Sequence, residues 1–148
     1  MLDPEMRWLG LDVGASRVGV AVGDEAEGVV TALDPLPFAS PEELAHRVAA
    51  LAAERGCGGV ALGVPRTRRG TSRGERRVAT VARALGQFPE LSLVLVDETG
   101  TTAEAEARLR AAGVPRRRWP ALVDGVAATI LLEDVFASRR RGGLTSLT

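Results

Sequence analysis

The chain contains 148 residues with 19 acidic and 19 basic side chains, and 45% of its residues are apolar, which fits a single folded domain with a substantial core. Every basic residue other than the one histidine is an arginine, so a Walker A lysine, a Schiff-base lysine and a kinase-type lysine are all excluded. One cysteine and one histidine exclude an internal disulfide and a zinc site built from Cys or His clusters. The sequence has no signal-peptide pattern and no run of roughly 18 consecutive apolar residues, which predicts a cytoplasmic protein without a membrane partner.

The first half of the chain predicts an antiparallel sheet followed by a helix. Residues 7–13 and 17–23 are rich in Val and Leu and are separated by Gly-Ala-Ser, which indicates a hairpin. Residues 28–38 predict a third strand at the sheet edge, because two prolines limit its ladder hydrogen bonds. Ser40 followed by proline and two glutamates predicts the start of a helix that extends to about Glu54.

The second half of the chain predicts buried strands that alternate with helices. Two continuous apolar runs are typical of parallel strands covered on both faces. The sequence Thr-Thr-Ala-Glu from residue 101 reads as a capping box at a helix start. The predicted elements are strands at 58–64 and 91–98 and helices at 75–86, 101–112 and 119–136.

The resulting order, β-β-β-α-β-α-β-α-α, predicts an α/β fold. Three antiparallel strands followed by βαβ units give a mixed sheet with helices on both faces. We expect one domain over residues 1–138, and an Arg/Gly-rich, disordered tail over residues 139–148.

Three acidic residues stand in otherwise apolar segments of the chain. Asp12 lies in the first strand, Glu98 ends the last strand, and Asp124 falls near the start of the final helix. Ligands of open α/β sheets bind at the carboxyl ends of the strands, so Asp12 lies near Glu98 if the first strand is central and parallel to the last. Asp124 joins them if its helical face is turned toward the sheet.

Each of these acids also has an ordinary structural interpretation. Asp12 could close an Asx turn, Glu98 could stabilise the positive end of the following helix, and Asp124 could pair with an arginine of residues 116–118. Three carboxylates brought together repel one another, however, and a hard divalent cation such as Mg²⁺ or Mn²⁺ relieves that repulsion. Ions bound in this way support the hydrolysis of phosphodiester bonds.

Four segments of the chain, in this order and spacing, resemble the YqgF/RuvX family. They are LDVGASRVGVAVGD, GVPRTRRGTSRGE, VDETGTTAEAEARLRAAG and LVDGVAATILLEDVF, and the resemblance covers residues 7–137. The family has a ribonuclease H-like fold, and its members are described as pre-16S rRNA nucleases or Holliday junction resolvase-like enzymes. The resemblance therefore implies a Mg²⁺- or Mn²⁺-dependent endonuclease that acts on structured nucleic acid, either a four-way DNA junction or precursor rRNA.

The family's functional positions carry over to this chain residue by residue. Its acidic triad implies catalytic residues and metal ligands, its second strand carries a matching arginine, and a pair of hydroxyl residues follows its Asp-Glu. These positions are Asp12, Glu98 and Asp124 for the triad, Arg17 for the strand, and Thr101 and Thr102 for the hydroxyl pair.

The chain departs from the family pattern at two places. Thr99-Gly100 stands where the family usually has an arginine and an apolar residue. This change removes a cation that could contact phosphate or orient Glu98, so it bears on the rate or the substrate preference. Arg69 stands where an aspartate is common, which makes the loop more basic and favours a nucleic-acid role.

Arginines crowd the loop and helix start that follow the fourth predicted strand. Guanidinium groups bind phosphate bidentately and give an affinity that falls with salt, although a solvated surface is the alternative interpretation. Trp119 is the aromatic residue best placed to stack on a base or act as a wedge, and a core or dimer contact is an equal alternative. The predicted nucleic-acid contacts are Arg17, Arg66, Arg68, Arg69, Arg73, Thr101 and Thr102.

Symmetric cutting of a junction needs two active sites, which predicts a homodimer. The main alternative function is a non-catalytic nucleic-acid-binding factor in which the acids are structural. ATP-binding proteins of the actin and sugar-kinase type also begin with a glycine-rich hairpin that carries Asp, but they need two such domains, which 148 residues cannot supply.

Overall fold

Five strands form one sheet in the computed structural model, which describes residues 6–65 and 72–142. A single 3-10 turn, Arg116–Arg118, precedes the last helix. The elements are β1 (Arg7–Val13), β2 (Arg17–Asp24), β3 (Val29–Pro37), α1 (Pro41–Arg55), β4 (Gly59–Val64), α2 (Arg73–Leu85), β5 (Ser92–Asp97), α3 (Thr101–Ala111) and α4 (Trp119–Arg140).

The strand order across the sheet is β3-β2-β1-β4-β5. β1 is central, since it pairs antiparallel with β2 and parallel with β4. β3 lies at one edge beside β2, and β5 lies at the other edge, parallel to β4. The predicted mixed sheet, with three antiparallel strands followed by βαβ units, is therefore confirmed.

The two faces of the sheet carry side chains of different size. Successive residues of a strand point to opposite faces, and the residues that face α1 and α2 are large aliphatics such as Leu11, Val20 and Leu62. The face covered by α4 is formed largely by glycine and alanine, so the helix lies close to the sheet. The small residues on that face are Gly10, Gly19, Ala21, Gly23, Ala61 and Gly63.

The predicted cap of α1 is confirmed, and the predicted cap of α3 is wrong. Ser40 Oγ accepts a hydrogen bond of 3.1 Å from the Glu43 N–H, as an N-cap should. In α3 the capping position is taken by Gly100, whose φ of 80° is accessible to glycine at little cost. The Glu104 N–H bonds to the Gly100 carbonyl, so Thr101 is the first helical residue and does not cap the helix.

The C-terminal helix extends further than its sequence pattern predicts. The predicted tail begins at residue 139, but α4 continues through Arg140. Arg139 holds this end because its Nε lies 2.7 Å from Glu25 Oε2 and its guanidinium stacks 5.2 Å from the centre of the Trp8 ring. Residues 143–148 of the predicted tail lie outside the described residues. Within the described part of the chain, no helix is both long and apolar enough to cross a membrane.

Candidate functional site

The carboxyl ends of the parallel strands β1, β4 and β5 bring Asp12 and Glu98 together. Asp12 lies on β1, which runs parallel to β4. Glu98 directly follows β5, and its N–H donates a hydrogen bond of 3.2 Å to the Val64 carbonyl at the end of β4. The two carboxyl groups share a side-chain hydrogen bond. The convergence that the sequence predicts for these two acids is therefore present in the structure.

Burial and mutual repulsion raise the pKa values of these two carboxyl groups. Desolvation, followed by the charge of Asp12 and the shared hydrogen bond, raises the pKa of Glu98 to about 8. Desolvation also raises the pKa of Asp12, with a smaller contribution from the charge of Asp124. Two close carboxyls cannot both ionise cheaply without a cation between them, so in the absence of a cation the protonated forms of the pair are favoured.

Asp124 reaches the same end of the sheet through the close approach of α4. Its main-chain carbonyl lies where a Cβ atom at position 19 would be, so only glycine at that position lets the helix pack this closely. Gly19 is the cross-strand partner of Asp12. The main chain of Asp124 therefore lies over β2, beside the strand position that carries Asp12.

The side chain of Asp124 is held by Arg17. Arg17 Nε lies 3.0 Å from Asp124 Oδ2, and Arg17 Nη2 donates to the main-chain carbonyl of Pro120. Among residues 6–65 and 72–142, no three His, Cys, Asp or Glu side chains are grouped so as to hold a metal ion. The structure thus brings two of the predicted metal ligands into contact, and the third lies beside them, paired with an arginine.

The chemistry of these donors still fits a hard divalent cation. All three side chains offer carboxylate oxygens, which Mg²⁺ and Mn²⁺ prefer. The Arg17–Asp124 pair is exposed, with 48% and 34% of the two side chains accessible. Exposed ion pairs contribute about 0–1 kcal/mol, so little free energy opposes release of Asp124 toward Asp12 and Glu98.

Of two further acids at strand ends, Asp97 closes a turn and Asp24 lies away from the site. Asp97 Oδ1 accepts hydrogen bonds from the Thr99 N–H at 2.9 Å and from the Thr99 hydroxyl at 2.6 Å, which closes a turn before α3. Thr99 therefore stabilises this turn at a position where the family usually has arginine. Asp24 is the cross-strand partner of Arg7, at the opposite end of the hairpin from Asp12.

The predicted nucleic-acid contacts have different surroundings in the structure. Arg17 is engaged by Asp124, Arg73 is exposed at the first position of α2, and Thr102 is exposed on α3. Thr101 is buried, with 6% of its surface accessible. Arg66, Arg68 and Arg69 lie outside the described residues.

Two glycines that shape the site were not predicted from the sequence to do so. A Cβ atom at Gly63 would overlap Glu98 Oε2 and Leu131 Cδ1, just as one at Gly19 would overlap Asp124. The sequence does carry a signal for them, because small residues recur at alternate positions of β2 and β4. This alternation indicates a sheet face against which another backbone packs closely.

A mixed sheet with acids at the carboxyl ends of its parallel strands and a long helix across one face defines the ribonuclease H-like class. Two solved structures of nucleic-acid enzymes share the fold. RuvC of T. thermophilus in complex with Holliday junction substrate matches with a TM-score of 0.63 and 18% identity, over 96% of this chain and 99% of that one. The yeast mitochondrial Holliday junction resolvase Ydc2 matches with a TM-score of 0.56 and 12% identity, over 97% and 84%.

The chain belongs to the RuvX family, described as "Holliday junction resolvase", whose model matches residues 6–138. A relative from Chloroflexus aggregans is 36% identical over 139 residues, which are 92% of this chain and 96% of that protein. A relative from Mycobacteroides abscessus is also 36% identical, over 93% of this chain and 84% of its own length. Both are named "Putative pre-16S rRNA nuclease", so the names of the family and of these relatives agree on nuclease chemistry.

Proposed function

We propose that this protein is a divalent-metal-dependent endonuclease that hydrolyses phosphodiester bonds in structured nucleic acid. The observation that carries the proposal is the hydrogen-bonded pair of Asp12 and Glu98 at the carboxyl ends of the parallel strands, with Asp124 beside it on α4. Two half-buried, hydrogen-bonded carboxyls are costly in a purely structural role, because apolar residues would fill the same place at lower cost.

Asp12, Glu98 and Asp124 are the residues that would hold Mg²⁺ or Mn²⁺. Ions bound by such carboxylates lower the pKa of an attacking water and stabilise the leaving oxygen in phosphodiester cleavage. The chain contributes rigid placement, since Asp12 lies within a central strand and the Glu98 N–H is tied to Val64. Asp124 completes the set when its carboxylate leaves Arg17.

The names of the relatives support a substrate class. Family members and structural neighbours are named for Holliday junctions, and curated relatives are named for pre-16S rRNA. Both substrates are structured nucleic acids that need the same hydrolytic chemistry, so we propose a four-way DNA junction or precursor rRNA as the substrate. A homodimer and a cytoplasmic location are the sequence-based predictions that accompany this function.

A cleavage assay with a matched pair of variants tests the proposal. The purified protein is incubated with Mn²⁺ or Mg²⁺ and a labelled four-way junction, a linear duplex or a structured RNA. We expect metal-dependent cutting that Asp12→Asn abolishes and that Asp24→Asn, at the other end of the same hairpin, retains. The substrate that is cut fastest separates a resolvase from an RNA-processing enzyme.

Two observations favour the non-catalytic alternative, in which the acids are structural. Arg17 already neutralises Asp124, and the described residues contain no preformed group of three metal ligands. That alternative predicts salt-sensitive binding of nucleic acid with no cutting by the wild type in either metal. Cutting that persists in Asp12→Asn would separately contradict the assignment of Asp12 as a ligand.

A further inference from the structure

Trp119 is a structural residue at the corner between α3 and α4. It is 6% exposed, and its indole Nε1–H donates a hydrogen bond of 2.9 Å to the Val114 carbonyl. A base-stacking or wedge residue would have to present an open ring face to the solvent. Trp119 therefore packs in the fold, and its ring supports the residues around it.

Two arginines lie over this tryptophan. The guanidinium carbon of Arg116 is 4.8 Å from the ring centre, and that of Arg110 is 5.3 Å from it. Cations at this distance from a tryptophan face are attracted by its π electrons. Because the ring restricts these long side chains before any ligand arrives, less conformational entropy is lost when they bind one.

The arginines at this corner carry uncompensated charge. Arg110, Arg116, Arg117 and Arg118 are exposed, and none of them forms an ion pair with an acid in the part of the chain that the structure describes. Arg108, two residues before Arg110 on α3, is instead neutralised by Glu104 and Glu133. We call the group formed by Arg110, Arg116, Arg117, Arg118 and the supporting Trp119 the arginine platform.

The arginine platform adjoins the candidate site. Arg118 stands two residues before Pro120, whose carbonyl binds Arg17, and Arg17 in turn holds Asp124. Arg118, the N-cap of α4, is six positions before Asp124, which is about 9 Å along the helix axis at about 1.5 Å per residue. Successive phosphates of one nucleic-acid strand are separated by about 3.4 Å along the helix axis, so this separation corresponds to the length of about three phosphates.

We propose that the arginine platform is a phosphate-backbone anchor that grips one duplex arm of the substrate beside the carboxylate site. The proposal rests on the proposed function for its choice of partner. Guanidinium groups bind backbone phosphates bidentately, and such contacts contribute affinity that is independent of sequence and sensitive to salt. Its role is to hold the strand while the carboxylates act.

Binding measured in EDTA tests the anchor apart from catalysis. The probes are a fluorescein-labelled four-way DNA junction and a labelled RNA stem-loop, titrated by anisotropy over a range of salt concentrations. The test variant is Arg116→Gln/Arg118→Gln. The matched control is Arg55→Gln/Arg83→Gln, which removes the same charge from exposed positions on α1 and α2, on the other face of the sheet from α4.

We expect the test variant to bind the probes roughly ten-fold or more weakly at low salt. On DNA, the slope of log affinity against log salt should be shallower by about 2 units, because each of the two lost phosphate contacts contributes about 0.9. Trp119→Phe keeps every charge but weakens the support, so it should lower affinity and leave the salt slope unchanged. Thermal unfolding of each variant shows that it is folded.

Equal losses in the test and control variants would overturn the proposal, because only net charge would then matter. Unchanged binding in the test variant would also overturn it, and a shift of oligomeric state in that variant would assign the platform to contact between copies of the chain. Failure of the proposed function looks different. If the wild type never cuts with Mn²⁺ or Mg²⁺ but the test variant still loses binding selectively, the anchor stands and the nuclease assignment fails.

Discussion

Arg17 and Asp124 are 107 residues apart in the sequence, and their side chains meet with 3.0 Å between Nε and Oδ2. The pair links the start of β2 to the second turn of α4, and Arg17 adds a hydrogen bond to the Pro120 carbonyl. Arg17 thereby neutralises Asp124, whose negative charge would otherwise add to the repulsion between Asp12 and Glu98. This arrangement makes Arg17 a competitor of any cation that Asp124 would ligate.

Replacing Arg17 should therefore affect metal binding more than it affects folding. In Arg17→Gln the carboxylate of Asp124 is released, so we expect Mn²⁺ to bind a few-fold more tightly in isothermal titration calorimetry. The exposed ion pair contributes about 0–1 kcal/mol, so the free energy of unfolding in EDTA should change by no more than about 1 kcal/mol.

Arg47→Gln is the matched control for Arg17→Gln. It breaks an ion pair with Glu43 of similar length, 3.1 Å, and similar exposure, 48% and 45%, on the far helix α1. The control should change stability as little as Arg17→Gln and leave Mn²⁺ affinity unaltered. Weaker Mn²⁺ binding in Arg17→Gln would show that Arg17 orients Asp124 for the metal instead of competing with it.

The carboxyl pair should make stability in the absence of metal depend on pH. The pKa of Glu98 is raised to about 8 in the folded protein from an ordinary value of 4.5. Between these values the folded state binds more protons than the unfolded state, so the free energy of unfolding falls as the pH rises. The raised pKa of Asp12 acts in the same direction.

Thermal unfolding in EDTA between about pH 5 and pH 9 measures this linkage. Wild type should lose stability toward high pH relative to Glu98→Gln, which cannot ionise at that position. Glu54→Gln, at an exposed position of α1, should follow the wild-type curve. Parallel curves for wild type and Glu98→Gln would mean that Glu98 is ionised across the whole range and shares no proton with Asp12.

Much of this fold could be predicted from local pattern. The mixed sheet is predicted by apolar runs, capping residues and the order of elements. These signals involve residues close in sequence, so they can be recognised without the structure. The contact of Asp12 with Glu98 follows from one further inference, that β1 is central and parallel to the later strands. The amino-acid sequence alone thus predicts that these two acids lie together at the strand ends.

Other features depend on contacts that no local pattern records. The Arg17–Asp124 pair joins distant segments and gives Asp124 a partner other than the residues 116–118 that precede its helix. The end of α4 is set by Arg139 and Glu25, which are 114 residues apart, so the helical spacing alone ends the helix too early. Gly100, and not Thr101, occupies the N-cap position of α3, because glycine can adopt a positive φ.

Gly63 is expected to be essential for the placement of Glu98. A Cβ atom at this position would overlap Glu98 Oε2 and Leu131 Cδ1, so Gly63→Ala must displace the carboxylate or the helix. Overpacking of this kind costs about 1–3 kcal/mol, which urea unfolding measures. Gly58→Ala is the control, since its nearest contact is ordinary, 3.5 Å to Met6. Equal stability of the two variants would show that α4 shifts freely.

The ion pair of Arg139 and Glu25 should be the costliest of the described ion pairs to break from one side. Only 9% and 11% of these two side chains are exposed, and Glu25 Oε1 also accepts from the Trp8 indole N–H. Removing one partner of a buried pair leaves an uncompensated charge and costs about 3–5 kcal/mol. We expect Arg139→Met to lower the free energy of unfolding in urea by about 3 kcal/mol.

Arg140→Met is the neighbouring control for Arg139→Met, because it changes the same residue type at an exposed position of the same helix and should be nearly neutral. A double variant, Glu25→Gln/Arg139→Met, should recover part of the loss, since it leaves no buried charge unpaired. If Arg139→Met were as harmless as Arg140→Met, the end of α4 would contribute nothing to folding. Residues 139 and 140, although helical, would then behave like the predicted tail, because they would add nothing to the free energy of unfolding.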